Sequence, residues 1–310
     1  MQNLNFPRVF WLDGSQRNQA RWRSEAGLPA PEKVILADDR LKADAALRLA
    51  REGASILWQG DYQNARFLLQ AMARRLDRAP RAGSEQKPKT AAGAFQQHRQ
   101  RQGERAQLLA RLLVPLTADY RIPLARGQAV QAACREVFGE ASEDSVLSLR
   151  ELLAVISAHE WRKKGIPVPA VEGRIYPHYG VFSPVRGEYV DLLATAPLPA
   201  GCELAFDIGT GTGLLAFAAL KLWPRAFATA SDIDDACVGV VRDNTDSNGF
   251  TLGARAGELP ERVCGRPGLA LLSTSRASGA NSRLAATSPI AISTIAIIAR
   301  WPMPPETSCG

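Results

Sequence analysis

Apolar residues recur at helical spacing through the first half of the chain. Between residues 31 and 76, two stretches repeat apolar residues three and four positions apart, LKADAALRLAREGASILW and NARFLLQAMARRL. Asp61 or Asn64 is placed to cap the second stretch. The same spacing returns in AQLLARLLVPL, QAVQAACREVF and SVLSLRELLAVISAHEWRKKG. The pattern therefore predicts a helical N-terminal domain over residues 1–165.

One segment inside this region loses the helical spacing. Residues 78–106 carry no apolar periodicity and are rich in Gly, Pro, Gln and Arg. Such a composition is typical of linkers and loops. We therefore expect a flexible basic segment there.

Beyond residue 165 the pattern changes to short apolar runs, bounded by Gly and Pro, that alternate with helical stretches. This alternation predicts α/β architecture. The clearest unit is a buried strand over residues 204–208, a glycine-rich turn over 209–213 and a helix that runs to Trp223. A second strand, RAFATASDI, ends in Asp232.

The glycine-rich turn and the acid after the second strand suggest a nucleoside cofactor. Glycine permits positive φ and lets a ligand lie against the backbone, and the helix that follows offers N–H groups at its start. An acid 19 residues beyond Gly213 can accept both ribose hydroxyls. Asp207, just before the turn, would repel a pyrophosphate but suits a cationic ligand, which favours S-adenosylmethionine over a dinucleotide. The alternative is a purely structural glycine turn.

A longer segment, YGVFSPVRGEYVDLLATAPLPAGCELAFDIGTGTGLLAFAAL, resembles the methyltransferase small-domain family. This family includes ribosomal RNA guanine-N2 methyltransferases and, more distantly, glutamine-N5 methyltransferases that act on release factors. The resemblance covers roughly residues 175–258. It implies that residues 166–258 form the S-adenosylmethionine-binding part of a Rossmann-like, doubly wound methyltransferase domain.

The resemblance also implies which residues line the cofactor site. The segment that contains Phe182 would pack across the pocket, the turn would hold the methionine end, the acid after the second strand would hold the ribose, and Glu258 would lie near the adenine amino group. The implied cofactor-binding residues are Phe182, Asp207, Gly209, Gly211, Gly213, Asp232, Ile233 and Glu258. Phe182 and Tyr179 could instead be core aromatics, and we interpret His178 as a satisfied polar residue rather than a catalytic base.

The family's catalytic signature is missing. An Asn-Pro-Pro sequence followed by an aromatic residue should follow the fourth strand, where LALLSTS is found, but Thr274, Ser275, Arg276 and Ala277 stand there. No catalytic residue is therefore assigned. Residues 259–310 contain no Asp and are dominated by Ser, Ala, Arg, Thr and Pro. We interpret them as an atypical tail, from a truncation or an altered reading frame, that leaves the domain incomplete; a divergent native ending is the alternative.

Composition limits the class of protein and its surroundings. A chain of 310 residues with 46% hydrophobic and 22% charged residues is typical of globular proteins. No apolar run approaches the length of a membrane span and no leader pattern begins the chain, so we expect a cytoplasmic protein without membrane contact. The five cysteines form no CxxC pair and no cluster with His. They predict reduced, mostly buried thiols and no metal site.

The net charge of +7 is concentrated in the first half of the chain. Residues 1–164 hold 27 Lys and Arg against 18 Asp and Glu, whereas residues 165–310 hold 11 against 13. This excess suggests RNA or the ribosome as a partner, although a solvated basic surface explains it equally well. The predicted function is S-adenosylmethionine-dependent N-methylation of ribosomal RNA. The alternatives are a protein glutamine-N5 methyltransferase and a catalytically dead remnant that binds cofactor or RNA.

Overall fold

Two β-sheets organise the chain in the computed structural model. It describes residues 6–78, 90–140, 143–181, 188–195, 202–222, 227–232, 234–248, 253–256, 269–271 and 294–299. The first structural unit reaches Ser157 and the second begins at Ala158, so the division falls inside a helix and before the predicted boundary at residue 165. Among the described residues, no helix is both long and apolar enough to cross a membrane.

The first unit contains a six-stranded mixed sheet in the spatial order β1-β2-β6-β5-β4-β3. Strands β3, β4 and β5 are parallel, β6 is antiparallel to β5, and β1 and β2 form an antiparallel hairpin. The strands are β1 Arg8–Asp13, β2 Gln16–Trp22, β3 Val34–Ala37, β4 Ser55–Trp58, β5 Leu112–Leu116 and β6 Ser145–Ser148. The helices are α1 Ala43–Arg51, α2 Tyr62–Leu76, α3 Ala91–Ala110, α4 Gln131–Phe138 and α5 Leu149–Lys164.

The expectation of a mainly helical N-terminal domain is wrong, because the helices predicted there are joined by strands. The end of the first helical stretch, SILW, forms β4, and the run LLVPL forms β5. All four residues of β4 are buried, as is usual for a central parallel strand covered on both faces. Short continuous apolar runs of this kind cannot be distinguished from buried helix by their periodicity.

The predicted flexible segment also needs correction. Helix α3 covers residues 91–110, and the Thr90 hydroxyl caps it by accepting a hydrogen bond from the Gly93 N–H at 3.1 Å. Ala, Gln and Arg are good helix formers, so the helix needs no apolar stripe along most of its length. Its buried contacts come only near its end, at Ala106 and Leu109. The rest of the predicted segment, residues 79–89, lies outside the described part of the chain.

The second unit confirms the predicted α/β class. Its five-stranded sheet has the order β11-β10-β9-β13-β12, with β9, β10 and β11 parallel. A short hairpin and a 3-10 helix, Pro169–Val171, precede this sheet. The strands are β7 Ile166–Val168, β8 Gly173–Ile175, β9 Cys202–Ile208, β10 Phe227–Asp232, β11 Gly253–Ala256, β12 Leu269–Leu271 and β13 Thr294–Ala299. The helices are α6 Glu188–Thr195, α7 Leu214–Leu222 and α8 Asp235–Asn248.

The strand beside β9, on the side away from β10, comes from the predicted tail. Strand β13 pairs antiparallel with β9, and β12, which is part of the predicted fourth strand, pairs antiparallel with β13 at the sheet edge. In a doubly wound sheet a parallel strand would occupy the position beside β9. The parallel half, from β9 to β11, therefore carries the features on which a cofactor site depends.

Candidate cofactor site

The turn between β9 and α7 is built on glycines in the left-handed region. Gly209, Gly211 and Gly213 have φ values of 72°, 56° and 83°. A Cβ atom added to Gly213 would lie 2.8 Å from a ring carbon of Phe217, whereas one added to Gly211 would meet no atom of the described residues within 4 Å. Gly213 is thus required by helix packing, and Gly211 leaves open space above the turn.

Backbone hydrogen bonds hold this turn against the neighbouring strand. The N–H groups of Gly209 and Thr210 both donate to the carbonyl oxygen of Ser231, at 2.8 and 3.0 Å. Ser231 is the penultimate residue of β10. The turn is therefore fixed to the carboxyl end of two parallel strands, where α/β sheets place their ligands.

The Asp207 carboxylate holds the turn by hydrogen bonds from the protein interior. Its side chain is only 2% exposed, and its Oδ2 accepts hydrogen bonds from the Thr210 hydroxyl at 2.7 Å and the Ala216 N–H at 3.1 Å. The Ala216 N–H is one of the groups at the start of α7 that were expected to be free for a ligand. Its hydrogen bond to Asp207 means that it is already used within the protein. In this structure Asp207 positions the turn and places a buried negative charge beneath it.

Asp232 lies over the opposite side of the turn, at the last position of β10. Its Oδ2 accepts a hydrogen bond from the Gly211 N–H at 2.9 Å, and its Oδ1 accepts one from the Asp234 N–H at 3.1 Å. A carboxylate can accept about four hydrogen bonds, and this one is only partly buried. The side chain can therefore still accept hydroxyl groups of a ligand that lies across Gly211.

Two asparagines of α8, which the sequence analysis did not single out, connect this helix to the turn and to β8. The fully buried Asn244 donates to the carbonyl oxygen of Thr212 at 3.2 Å and accepts from the Tyr176 N–H at 2.7 Å. Asn248, one helical turn later, accepts from the Arg174 N–H at 3.1 Å and donates to the Arg174 carbonyl at 2.9 Å. The sequence does contain a signal that could have identified Asn244. It is a polar residue at helical spacing from Cys237 and Val241, on the apolar face of α8.

Cys237, in the first turn of α8, lies beside Asp232. Burial, together with the negative charges of Asp232 and Asp234, raises the pKa of the Cys237 thiol to about 12. Burial also raises the pKa of Cys134, in the first unit, to about 11. Both are buried free cysteines, as predicted, and both thiols are neutral at pH 7 and thus poor nucleophiles. The side chains of the other three cysteines lie outside the described residues.

The segment after β8 brings His178 to the surface of α8. Its Nε2 lies 3.0 Å from Oδ2 of Asp243, and Arg162 Nη2 lies 3.7 Å from the same oxygen. His178 therefore has an acidic neighbour on α8, and its interpretation as a satisfied polar residue stays a prediction. Tyr179 follows it and is partly buried.

Three of the predicted cofactor-binding residues, Phe182, Ile233 and Glu258, lie outside the described residues, as do Thr274 to Ala277. The structure brings together the other five, which lie at the ends of β9 and β10. In the part of the chain that the structure describes, no group of three or more His, Cys, Asp or Glu side chains is arranged to hold a metal ion.

The residues present fit a nucleoside. The ends of two parallel strands supply an open backbone position at Gly211 and a carboxylate with remaining acceptor capacity at Asp232. The buried charge of Asp207 beneath the same turn disfavours an anionic group there and suits a positively charged one.

Comparison with known proteins agrees with this geometry. Residues 195–263, which include β9, α7, β10, α8 and β11, match the family model of the ribosomal protein L11 methyltransferase. No curated protein matches the chain. The family match confirms the predicted enzyme class, that of the S-adenosylmethionine-dependent methyltransferases, whose methyl donor is S-adenosylmethionine. The resemblance to the small-domain family remains a prediction.

Proposed function

We propose that this protein binds S-adenosylmethionine at the glycine turn over residues 209–213 and transfers its methyl group to a nitrogen atom of a ribosomal protein. The observation that carries the proposal is the Asp232 carboxylate, held by the Gly211 N–H at 2.9 Å beside an open backbone position. In this arrangement Asp232 accepts the ribose hydroxyls. Gly211 lets the nucleoside approach the backbone.

The buried charge at Asp207 supports this cofactor over a dinucleotide. When bound, S-adenosylmethionine supplies a methyl group on a positively charged sulfonium. A carboxylate that is 2% exposed and lies just beneath the turn attracts a cation and repels a pyrophosphate through the low-dielectric interior. The chain's own contribution to catalysis is then to hold the methyl group in line with the acceptor nitrogen.

The family match favours a protein as methyl acceptor. The matched family is named for an enzyme that acts on ribosomal protein L11, and the match covers the strands and helices that build the candidate site. N-methylation of ribosomal RNA, which the sequence predicts, is supported only by the charge excess of the first 164 residues and by the small-domain resemblance. Glutamine-N5 methylation shares a protein acceptor with the proposal.

A transfer assay distinguishes these acceptors. The purified chain is incubated with tritium-labelled S-adenosylmethionine and, separately, with total ribosomal proteins, ribosomal RNA and intact ribosomes. We expect label that resists ribonuclease and is released by protease. Asp232→Ala should abolish most of the label, and Asp246→Ala, which removes an exposed acid of α8, should retain it.

The other outcomes contradict the proposal in different ways. Label confined to RNA would replace the protein acceptor with a nucleotide. Calorimetric binding of S-adenosylmethionine without any transfer would identify the chain as a cofactor-binding remnant. Absence of both binding and transfer would refute the proposal that the turn over residues 209–213 is a cofactor site.

A further inference from the structure

The β1–β2 hairpin has one buried face and one exposed face. Val9, Ala20 and Trp22 belong to the buried face and pack in the core with Leu57 and Leu113. The cross-strand pairs on the opposite face are Arg8 with Arg21, Phe10 with Gln19 and Leu12 with Arg17. We call these six residues the hairpin strip: Arg8, Phe10, Leu12, Arg17, Gln19 and Arg21.

The hairpin strip exposes large apolar side chains at a sheet edge. Phe10 is 44% exposed and Leu12 is 64% exposed, and both lie on β1, the outermost strand of the six-stranded sheet. Two of the three arginines of the strip lie against an aromatic ring. The guanidinium carbon of Arg17 is 4.9 Å from the centre of the Phe10 ring, and that of Arg21 is 3.2 Å from the centre of the Phe6 ring.

The charge of the hairpin strip is positive and only partly neutralised. Arg8 pairs with Glu143 at 3.0 Å, and Asp13 is the acid at the end of β1. Among the described residues, no carboxylate forms an ion pair with Arg17 or Arg21, although Glu143 and Glu25 act on Arg21 from farther away. The strip therefore presents guanidinium groups beside exposed apolar side chains.

A further, buried arginine follows directly after β2. Arg23 is 5% exposed and its guanidinium carbon lies 5.1 Å from the Tyr120 ring centre and 5.2 Å from that of Phe138. Within the described residues, its Nε and Nη2 atoms have no hydrogen-bond partner. Burial raises the pKa of the nearby Glu25, and the positive charges of Arg23 and Arg21 act in the opposite direction. Arg23 therefore adds a further positive charge close enough to act on Arg21.

We propose that the hairpin strip binds single-stranded RNA. Arginines of the strip contact backbone phosphates, and Phe10 together with the guanidinium planes stacks on unpaired bases. Duplex RNA hides its base faces, so a strip that places guanidinium groups beside the exposed Phe10 ring matches a single strand better than a helix. This surface lies in the first unit and does not depend on the methyl transfer proposed above.

Fluorescence anisotropy with the full-length chain and a labelled oligouridylate of about 12 nucleotides tests the proposal. The double variant Arg17→Ala/Arg21→Ala should weaken binding about tenfold or more and reduce the slope of log affinity against log salt by about 1.4, since each phosphate contact contributes about 0.7 for single strands. Phe10→Ala should weaken binding about fivefold or more with the salt slope unchanged, because stacking releases no counterions.

Two further variants separate this surface from general charge and from loss of folding. Arg40→Ala/Arg48→Ala removes the same charge from side chains that are 93% and 74% exposed, and affinity should change by no more than about threefold. Arg17→Lys/Arg21→Lys should keep the salt slope and still lose affinity, because lysine lacks the planar group that stacks. Circular dichroism checks that each variant is folded.

The proposal is overturned if the hairpin variants bind like the parent chain or if the Arg40/Arg48 control loses as much affinity as they do. Equal competition by a duplex of the same length would also overturn it. Preferential competition by unlabelled single strands, together with the ordering of the variants above, would support it.

Discussion

Strand β4 leads into helix α2 in the first unit, and strand β9 leads into helix α7 in the second. Each connection leaves the carboxyl end of a parallel strand, contains glycine and has an acid nearby. The two turns differ in what occupies the space around that glycine. This difference separates a turn that supports the fold from one that we propose holds a ligand.

The β4–α2 turn is closed by the protein's own side chains. A Cβ atom on Gly60 would lie 2.6 Å from Oδ1 of Asp39, so the carboxylate occupies that space. Asp61 caps α2 by accepting from the Gln63 N–H at 2.8 Å, and Arg126 Nε donates to Asp61 Oδ2 at 2.6 Å. Both acids are thus engaged within the fold.

The β9–α7 turn keeps its open position. No described atom lies within 4 Å of a Cβ atom built on Gly211, and Asp232 accepts hydrogen bonds from backbone N–H groups. A strand, a turn and a helix are therefore insufficient to identify a site. The useful distinction is whether a side chain of the protein already fills the space that the glycine creates.

The largest expected effect is on stability and distinguishes two glycines of the same turn. Gly213→Ala should destabilise the second unit by about 3 kcal/mol, because it combines positive φ with a contact of 2.8 Å to the Phe217 ring. Gly211→Ala should cost only about 1 kcal/mol, since the strain at positive φ is its main penalty. Hydrogen exchange of peptides from α7 would measure both. Equal protection in the two variants would show that Gly213 is not required by packing.

A smaller effect, on binding, compares the acids of the two turns. Asp232→Ala should weaken S-adenosylmethionine binding by about 1 to 3 kcal/mol, because charge-assisted hydrogen bonds to the ribose are lost. Asp61→Ala should leave the affinity unchanged, since its carboxylate serves α2 and Arg126. Calorimetry measures both. A comparable loss in Asp61→Ala would end the distinction between a closed turn and an open one.

The smallest effect concerns the pH dependence of the closed turn. The hydrogen bond from Arg126 lowers the pKa of Asp61 below its ordinary value. A lowered pKa in the folded state adds stability above the unfolded pKa of about 3.9, and that stability disappears as the pH falls through the folded value. Arg126→Gln should therefore lower the melting temperature at pH 7 and have almost no effect near pH 2. A difference that persists in acid would assign the loss to packing instead of charge.

The sequence was most informative where structure depends on local chemistry. Glycine spacing predicted the turn over residues 209–213, and apolar patterning predicted β9, β10 and α7 close to their observed bounds. Apolar patterning failed for β4 and β5, which it assigned to helices, because a short buried strand has the same continuous apolar pattern as a buried helix. It also missed Asn244, since its two partners, Thr212 and Tyr176, are distant in the chain.

By itself the sequence determined the α/β class of the second unit, the methyltransferase class of the enzyme and the position of the glycine turn. The α/β class and the glycine turn depend on φ preferences and periodicity, which act between neighbouring residues, whereas the methyltransferase class came from the family resemblance. Only the tertiary structure decided that Asp207 fastens the turn while Asp232 lies beside its open position. It also decided that the first unit is built on a sheet and that the arginines of β2 share one face. These outcomes depend on strand pairing and on contacts between distant residues, which local pattern does not specify.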